Sequence, residues 1–141
     1  MLKPATTWFA QRGWDVSPFQ RAAWEAFLAG KDGLIHSPTG SGKTLAAIVG
    51  PLLERLTEAE SSEDTDPIRV IWITPLRALA SDTAAALREA VEALGVPFSV
   101  ALRTGDTSSA EKTKQRKKLP SILVTTPESL TLLLTHQEVL E

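Results

Sequence analysis

The feature that most restricts the fold of this chain is the segment of residues 37–44, Ser-Pro-Thr-Gly-Ser-Gly-Lys-Thr. It lies between a short apolar run, residues 33–36, and an apolar, helix-forming stretch, residues 45–49. A strand, a glycine-rich loop and a helix in this order are typical of a phosphate-binding loop. The glycines let successive backbone N–H groups face one concavity at the positive end of the helix dipole. The sequence therefore predicts an α/β fold with an anion site at the start of a helix.

The side chains of this loop predict binding of a nucleoside triphosphate. Lys43 supplies a mobile ammonium for the outer phosphates, and Thr44 supplies a hydroxyl for Mg²⁺. The usual pattern begins with glycine, whereas this chain has Ser37 there, so the match is incomplete by one position. A turn that merely joins a strand to a helix would not need Lys-Thr after its last glycine. The predicted binding set is Ser37, Thr39, Gly40, Ser41, Gly42, Lys43 and Thr44, with Lys43 and Thr44 also the catalytic candidates and Thr44 the metal ligand.

Composition predicts one compact core. The chain has 141 residues, of which 43% are hydrophobic, and this is too short for two ordinary domains. Its net charge is −2, from 15 basic and 17 acidic residues. Five of the acidic residues fall within residues 57–66, which contain no basic residue, so the remainder has 15 basic against 12 acidic residues. We expect that acidic segment to be an exposed connection.

The residue types present argue against a resident zinc site and against a membrane-spanning segment. There is no cysteine, and the two histidines are far apart, which excludes disulfides and a zinc site built by these residues alone. Any metal is expected to arrive with the nucleotide. The first residues are mixed polar and aromatic, and no apolar run approaches the length of a membrane span. We expect a soluble, cytoplasmic protein with no membrane partner.

Hydrophobic periodicity predicts alternating helices and strands. Two helices come first: residues 5–12, ended by Gly13, and a second that begins with Ser17 as N-cap and Pro18 and ends at Gly30. Buried strands are predicted at residues 33–36, 68–74, 97–102 and 121–125. The clearest helix covers residues 76–94, with an apolar stripe of Leu79, Ala80, Ala84, Leu87, Val91 and Leu94. Because each strand precedes a helical segment, we expect a parallel sheet flanked by helices on both faces.

Three predicted strands end in segments that suit a phosphodiester backbone. They are Pro-Leu-Arg-Ala-Leu-Ala at 75–80, Arg-Thr-Gly-Asp-Thr at 103–107 and Thr-Thr-Pro-Glu-Ser at 125–129. Ligands of an open parallel sheet bind at the carboxyl ends of its strands, and hydroxyl, N–H and arginine groups position a nucleic-acid backbone without reading bases. Each segment alone is also ordinary turn chemistry. The candidate nucleic-acid contacts are Pro75, Leu76, Arg77, Ala78, Arg103, Thr104, Gly105, Thr125, Thr126, Pro127 and Glu128.

Taken in order, Gln20, the phosphate loop and the three strand-end segments resemble the first motor domain of a superfamily 2 DEXH-box helicase. Residues 73–80 and the Arg12-Gly13-Trp14 run resemble the bacterial ligase-associated branch of the Lhr (large helicase-related) family, and the resemblance extends from about residue 8 to residue 134. It implies a RecA-like P-loop NTPase fold. The implied organisation is N-terminal helices with a Q-motif-like segment, residues 1–30, and a partial RecA-like ATP-binding domain, residues 31–141.

The resemblance also implies roles for individual residues. The phosphate loop corresponds to motif I, and Gln20 to the glutamine that reads the adenine edge, which makes ATP with Mg²⁺ the expected cofactors. The segments at 75–80, 104–105 and 125–128 correspond to motif Ia, the small glycine motif and motif Ib, which hold the tracking strand. Trp14 or Phe19 either stacks near the adenine or packs in the core. The basic residues Lys112, Lys114, Arg116, Lys117 and Lys118 either contact nucleic acid or form the solvated face of a helix.

One element of the resemblance is missing. Phosphoryl transfer needs carboxylates that hold Mg²⁺ and orient water, and the sequence has no Asp-Glu-x-His; neither Glu128 nor Glu138 follows a suitable apolar strand. We therefore expect these residues to be the amino-terminal part of a larger motor, truncated before motif II. Alone, such a piece is expected to hydrolyse hardly any ATP and to be marginally stable or to associate through an unpaired sheet edge.

The resemblance implies an ATP-dependent DNA helicase or translocase that moves 3′ to 5′ on single-stranded DNA in DNA repair. The implied partners are single-stranded or partly duplex DNA, with RNA or a hybrid as alternatives, the rest of the helicase chain, a DNA ligase and a nuclease. Two other functions stay open. One is a non-hydrolysing module that binds nucleotide or nucleic acid. The other is an unrelated phosphate-loop enzyme such as a small-molecule kinase, in which Gln20 and the strand-end segments would have no role.

Overall fold

The computed structural model describes residues 1–58 and 68–140. In chain order, the strands are β1 (Val70–Ile73), β2 (Val100–Arg103) and β3 (Ile122–Thr125). The helices are α1 (Lys3–Gln11), α2 (Pro18–Leu28), α3 (Lys43–Thr57), α4 (Arg77–Leu94), α5 (Ser109–Lys117), α6 (Pro127–Leu133) and α7 (Gln137–Leu140). Strands and helices alternate from β1 to α6, which confirms the predicted α/β class.

The three strands form one parallel sheet in the order β1-β3-β2. Ile122 of β3 is paired with Val70 of β1 on one side and with Val100 of β2 on the other. All four residues of β3 are buried, as expected of a central parallel strand that is covered on both faces. The prediction of a parallel sheet flanked by helices is confirmed.

Internal contacts divide the chain into two compact units, residues 1–62 with 89–96 and residues 63–88 with 97–141. The first unit contains α1, α2, α3 and the last part of α4. The second contains the sheet, the first part of α4, and α5, α6 and α7. The division into residues 1–30 and 31–141 stays a prediction.

The first unit is held together by aromatic packing and by α2 against α3. Trp24 of α2 is fully buried, and its indole Nε1 donates a hydrogen bond to the Leu45 carbonyl at 3.0 Å. Phe9 contacts the rings of Trp8, Trp14 and Trp24 edge to face, with centroids 5.4 to 5.6 Å apart. Such pairs add to the free energy gained from burial of the rings. The upstream helices are therefore part of the core on which the phosphate loop rests.

Most helix boundaries agree with the sequence. Helix α2 begins at Pro18, and the backbone N–H of Ser17 donates to Gln20 Oε1 at 3.0 Å, which satisfies one end of a capping box. In α4, the predicted residues Ala80, Ala84 and Leu87 are buried, but Leu79 is 48% exposed, so the predicted stripe is wrong at that position. Thr57 ends α3, and residues 59–66 of the acidic segment lie outside the described residues.

The strand predicted at residues 33–36 is wrong. These residues form no ladder, and Leu34 is 93% exposed. A strand is stable only where a neighbour accepts and donates its backbone hydrogen bonds, and in the described part of the chain β1, β2 and β3 pair only with one another. The strand predicted at 97–102 is also shifted, because it pairs from Val100 to Arg103.

Among residues 1–58 and 68–140, none of the helices is both long enough and apolar enough to cross a bilayer.

We predict that Gly50→Ala destabilises the protein although alanine favours a helix. A Cβ at Gly50 of α3 would lie 2.9 Å from Phe27 Cβ of α2, an atom that moves only with its backbone. Overpacking costs about 2 kcal/mol, and the gain in helix propensity is about 1 kcal/mol, so the expected net loss is about 1 kcal/mol. Urea unfolding measures the difference.

Gly33→Ala is the matched control, because a Cβ there meets no atom within 4 Å and the backbone is not left-handed. Its unfolding midpoint should stay at or slightly above that of the parent. A raised midpoint for Gly50→Ala would show that α2 and α3 have room for a methyl group.

Candidate nucleotide and nucleic-acid sites

The phosphate loop leads directly into α3, which begins at Lys43 and has 15 residues. Gly40 and Gly42 have φ of 78° and 94°, in the left-handed region that only glycine adopts without strain. These two turns bend the backbone ahead of the positive end of the helix dipole. The loop and helix predicted from the sequence are both present, and this arrangement is typical of an anion site.

Polar side chains of the loop bind its own backbone. The Lys43 ammonium donates to the Ser37 carbonyl at 3.0 Å, and Lys43 itself is exposed. The hydroxyls of Ser37 and Ser41 are hydrogen-bonded to each other, and Ser41 also donates to the Pro38 carbonyl. Ser37, which replaces the usual first glycine, thus contributes both a carbonyl and a hydroxyl. These contacts hold the Lys43 ammonium beside the loop.

Gln20 connects the start of α2 to the last residue of the phosphate loop. Its side chain is buried, with 4% exposed; Nε2 donates to the Gly42 carbonyl at 3.1 Å, and Oε1 accepts from the Ser17 N–H. A Cβ on Gly42 would lie only 2.5 Å from Gln20 Nε2, so the close approach itself requires glycine. The structure therefore brings Gln20 to the loop and gives it a structural contact there, and its role at the adenine edge stays a prediction.

The two aromatic candidates lie in different surroundings within the first unit. The Trp14 ring packs edge to face on Trp8 and Phe9, and the Arg12 guanidinium lies 4.7 Å from its centroid. Phe19 instead lines an apolar cavity of about 460 Å³ between α2, residues 31–36 and the start of α3. Trp14 is thus a packing residue with a partly exposed ring, and Phe19 is the aromatic side chain that borders a cavity.

In the second unit, hydrogen bonds join the ends of all three strands. The Thr74 N–H donates to the Thr125 carbonyl at 3.0 Å, and the Thr125 hydroxyl donates to the Arg103 carbonyl at 2.7 Å. Thr126 caps α6, because its hydroxyl accepts from the Ser129 N–H. The three segments predicted from sequence therefore meet at one edge of the sheet, which we call the strand-end edge (residues 74–78, 103–107 and 125–128).

Exposure separates the candidates at the strand-end edge into two groups. Thr104, Thr125 and Thr126 are buried, and their hydroxyls bind the protein itself. The residues whose side chains or Cα atoms reach solvent are Pro75, Leu76, Arg77, Ala78, Gly105, Pro127 and Glu128. The threonines thus build the edge, and the second group forms its surface.

Arg103 is not on that surface. It is only 4% exposed, and its Nη1 donates to the Lys112 carbonyl at 3.1 Å and to Gln115 Oε1 at 3.3 Å. Burial lowers the pKa of the Arg103 guanidinium from its ordinary value, and the positive charge of Arg116 lowers it further. The sequence placed Arg103 in a loop, but β2 includes it. We therefore leave Arg103 out of the proposed nucleic-acid contacts.

Asp106 is the residue that the sequence analysis missed. Its Oδ1 accepts from Arg77 Nη1 at 3.1 Å. The Gly-Asp pair predicted only a turn, and nothing in the order of residues showed that this turn would meet the first residue of α4. The pairing follows from the neighbouring positions of the two strand ends.

The basic run lies on and just after α5. Ser108 caps this helix by accepting from the Glu111 N–H at 3.2 Å, and Lys114, Lys117 and Lys118 are exposed. Basic residues in the last turn also suit the negative end of the helix dipole. Of the two alternatives for the basic run, this placement agrees with the solvated face of a helix. Within the described ranges, no three histidine, aspartate or glutamate residues are grouped closely enough to hold a metal ion.

A glycine-rich loop at the start of a helix, in a fold whose parallel strands are connected by helices, defines the class of phosphate-loop nucleotide-binding proteins. Residues 17–141 match the DEAD/DEAH box helicase family, and the chain belongs to that family.

Relatives and solved structures support the same assignment. The chain is 38% identical over 142 residues to the ATP-dependent helicase Lhr-Core of Methanocaldococcus jannaschii, which covers 94% of this chain and 17% of the relative. It is 35% identical over 154 residues to the Lhr helicase/uracil glycosylase of Escherichia coli, covering 97% and 10%. The structure of Mycobacterium smegmatis helicase Lhr bound to ssDNA and AMP-PNP is similar with a TM-score of 0.80 and 32% identity, covering 96% and 18%. The chain thus spans less than a fifth of the length of these proteins.

We predict that Arg103→Ala destabilises the protein by about 3 kcal/mol, because it removes the donor to the buried Gln115 Oε1 and opens a cavity. Thermal or urea unfolding gives the value. Arg88→Ala is the control, since Arg88 is exposed and makes one 3.4 Å hydrogen bond to the Val100 carbonyl; its effect should stay below about 0.5 kcal/mol. Unchanged stability together with weaker nucleic-acid binding in Arg103→Ala would instead give Arg103 a surface role.

Proposed function

We propose that the chain is the nucleotide-binding part of an ATP-dependent, Lhr-type DNA helicase that couples ATP hydrolysis to 3′-to-5′ movement on single-stranded DNA. The observation that carries the proposal is the phosphate loop itself: two left-handed glycines, Lys43 and Thr44 at the start of α3, with Gln20 held against Gly42. The similarity to Lhr-Core helicases and to an Lhr helicase bound to ssDNA and AMP-PNP supports it.

The loop residues fit an ATP–Mg²⁺ complex by their chemistry. Backbone N–H groups of residues 39–44 would bind the inner phosphates, the Lys43 ammonium would neutralise charge on the outer ones, and the Thr44 hydroxyl would ligate Mg²⁺. Bound Mg²⁺ supplies charge stabilisation during phosphoryl transfer. Carboxylates that orient water are also required, and the sequence has no Asp-Glu-x-His. We therefore propose that hydrolysis needs the rest of the motor and that this segment alone is inactive.

Gln20 has hydrogen-bonding capacity left for adenine. An amide NH₂ has two donors, and an amide oxygen has two lone pairs. One donor reaches the Gly42 carbonyl, and one acceptor site takes the Ser17 N–H. The others can pair with the donor and acceptor on the adenine edge. In this proposal the Gln20 side chain connects the adenine to the phosphate loop, through its hydrogen bond to the Gly42 carbonyl.

The strand-end edge is the proposed nucleic-acid surface. Arg77 is exposed there at the first residue of α4, beside Gly105 and within the same unit as Pro127 and Glu128. Arginine and backbone groups bind phosphates without regard to base, which suits a protein that moves along a strand. DNA is favoured over RNA or a hybrid by the ssDNA-bound relative. A role in DNA repair, with a ligase and a nuclease as partners, is part of the proposal through the family resemblance.

We predict that Lys43→Ala abolishes DNA-stimulated ATP hydrolysis by the full-length protein and leaves the fold intact. Removing the ammonium leaves the outer phosphates without neutralisation, and the expected loss of kcat is at least about a hundredfold. Steady-state turnover with and without single-stranded DNA measures it, and circular dichroism checks the fold. Lys3→Ala on α1 is the control and should behave as the parent, since Lys3 is exposed on another helix.

Turnover that persists in Lys43→Ala would contradict the proposed role of the loop. Absence of turnover in the full-length parent, with ATP still bound, would favour the non-hydrolysing binding module. Turnover by the 141-residue segment alone would mean that the catalytic carboxylate lies within it.

We predict that Gln20→Ala weakens ATP binding about tenfold and GTP binding much less, because about 1.4 kcal/mol of adenine-specific hydrogen bonding is lost. Titration of the full-length protein with fluorescent ATP and GTP analogues gives both affinities. Gln11→Ala, an exposed glutamine at the end of α1, is the control. Equal weakening of ATP and GTP would limit Gln20 to support of the loop, and no weakening would favour the unrelated phosphate-loop enzyme.

A further inference from the structure

Arg77 is an exposed side chain whose guanidinium contacts two neighbours. Its Nη1 donates to Asp106 Oδ1 at 3.1 Å, although the two side chains are 61% and 76% exposed. A Cβ on Gly105 would lie 2.4 Å from Arg77 Nη2 and 2.8 Å from Cζ. The guanidinium therefore lies directly on the Gly105 backbone, in space that any larger residue would occupy.

The turn that carries Asp106 is itself tied to the end of β2. The Thr104 N–H donates to the Thr107 hydroxyl at 3.0 Å, and the Asp106 N–H donates to the Thr104 hydroxyl at 3.2 Å. The Thr107 hydroxyl in turn donates to the Leu102 carbonyl at 3.3 Å. Because Thr104 is buried, the turn is fixed from inside, and the Asp106 carboxylate extends from a backbone of defined position.

An arginine whose side chain is already restricted before the ligand arrives binds a phosphate more favourably. A long side chain whose rotamers are already restricted loses less conformational freedom when it meets its ligand. Asp106 uses one N–H of the Arg77 guanidinium, and the fork has further donors. The carboxylate also repels a phosphate bound to the same guanidinium, because the two anions would lie within one Debye length of each other. The affinity of the Asp106→Ala protein measures which of the two effects is larger.

We propose that Asp106 is a positioning residue that holds the Arg77 guanidinium on Gly105, so that its remaining N–H groups face a phosphate of single-stranded nucleic acid. The inference rests on the proposed nucleic-acid function of the strand-end edge. It adds that the contact is prearranged by a carboxylate, and that the guanidinium lies in the space which a side chain at position 105 would occupy.

The holding contact is tested first in the full-length protein without nucleic acid. Phenylglyoxal condenses with the terminal nitrogens of an arginine, and in the parent Arg77 Nη1 is hydrogen-bonded to Asp106 Oδ1. The rate of Arg77 modification, read by peptide mass spectrometry, should rise about threefold in Asp106→Ala, a size that fits an exposed ion pair. Exposed Arg21 of α2 is the internal reference and should keep its rate. An unchanged Arg77 rate would overturn the inference.

The consequence is tested by fluorescence anisotropy with a labelled single-stranded oligothymidylate and the same full-length protein. Asp106→Ala should weaken binding about threefold, whereas Asp106→Asn, whose amide oxygen still accepts from Nη1, should stay within about twofold of the parent. Gly105→Ala should also weaken binding at unchanged charge, because its methyl group displaces the guanidinium. Arg77→Ala should lower the slope of log Kd against log salt by about 0.7, the value for one phosphate of a single strand.

A double-mutant cycle separates positioning from general support of the turn. In the Arg77→Ala background, adding Asp106→Ala should change the affinity no further, because there is no guanidinium left to hold. A full threefold loss in that background, or binding by Asp106→Ala as tight as the parent, would overturn the inference. Failure of the parent itself to bind the oligonucleotide would overturn the proposed function instead.

Discussion

Parallel pairing of β3 with both β1 and β2 is the constraint on which the second unit depends. Parallel neighbours cannot be joined by a tight turn, so the chain must return along helices, and α4 and α5 are those returns. The same pairing makes all three strands end at one edge. Thr125 then joins these ends, because its hydroxyl donates to the Arg103 carbonyl and its carbonyl accepts from the Thr74 N–H. The strand-end edge is thus a direct result of strand direction.

The first unit has a corresponding constraint in the close approach of Gln20 to Gly42. A glycine is needed at position 42 twice, for its left-handed backbone and for the space occupied by Gln20 Nε2. The buried Trp24 indole donates a hydrogen bond to the carbonyl of Leu45, one turn after Gly42, and so holds α2 against α3. The upstream helices therefore support the geometry of the phosphate loop through these two hydrogen bonds.

The two arginines of the strand-end edge differ in burial: Arg103 lies in the interior, and Arg77 lies on the surface. The Arg103 guanidinium donates hydrogen bonds to the carbonyl of Lys112 and to Gln115 Oε1, and these bonds connect α5 to β2. Arg77 stays exposed and is paired with a carboxylate from the next strand end. The two arginines have the same chemistry in the sequence, and only their surroundings give one a structural contact and leave the other available for a ligand.

The sequence by itself determined the α/β class, the phosphate loop, the caps of α2 and most of α4, because these follow from local spacing and from residues with restricted backbone angles. It also identified the three segments that meet at the edge, since parallel strands end together. Only the tertiary structure decided that residues 33–36 form no strand here, that Arg103 is buried and that Asp106 forms an ion pair with Arg77. The physical reason is the same in each case. Strand pairing, burial and ion pairing depend on neighbours that are distant in sequence, and spacing along the chain carries no record of them.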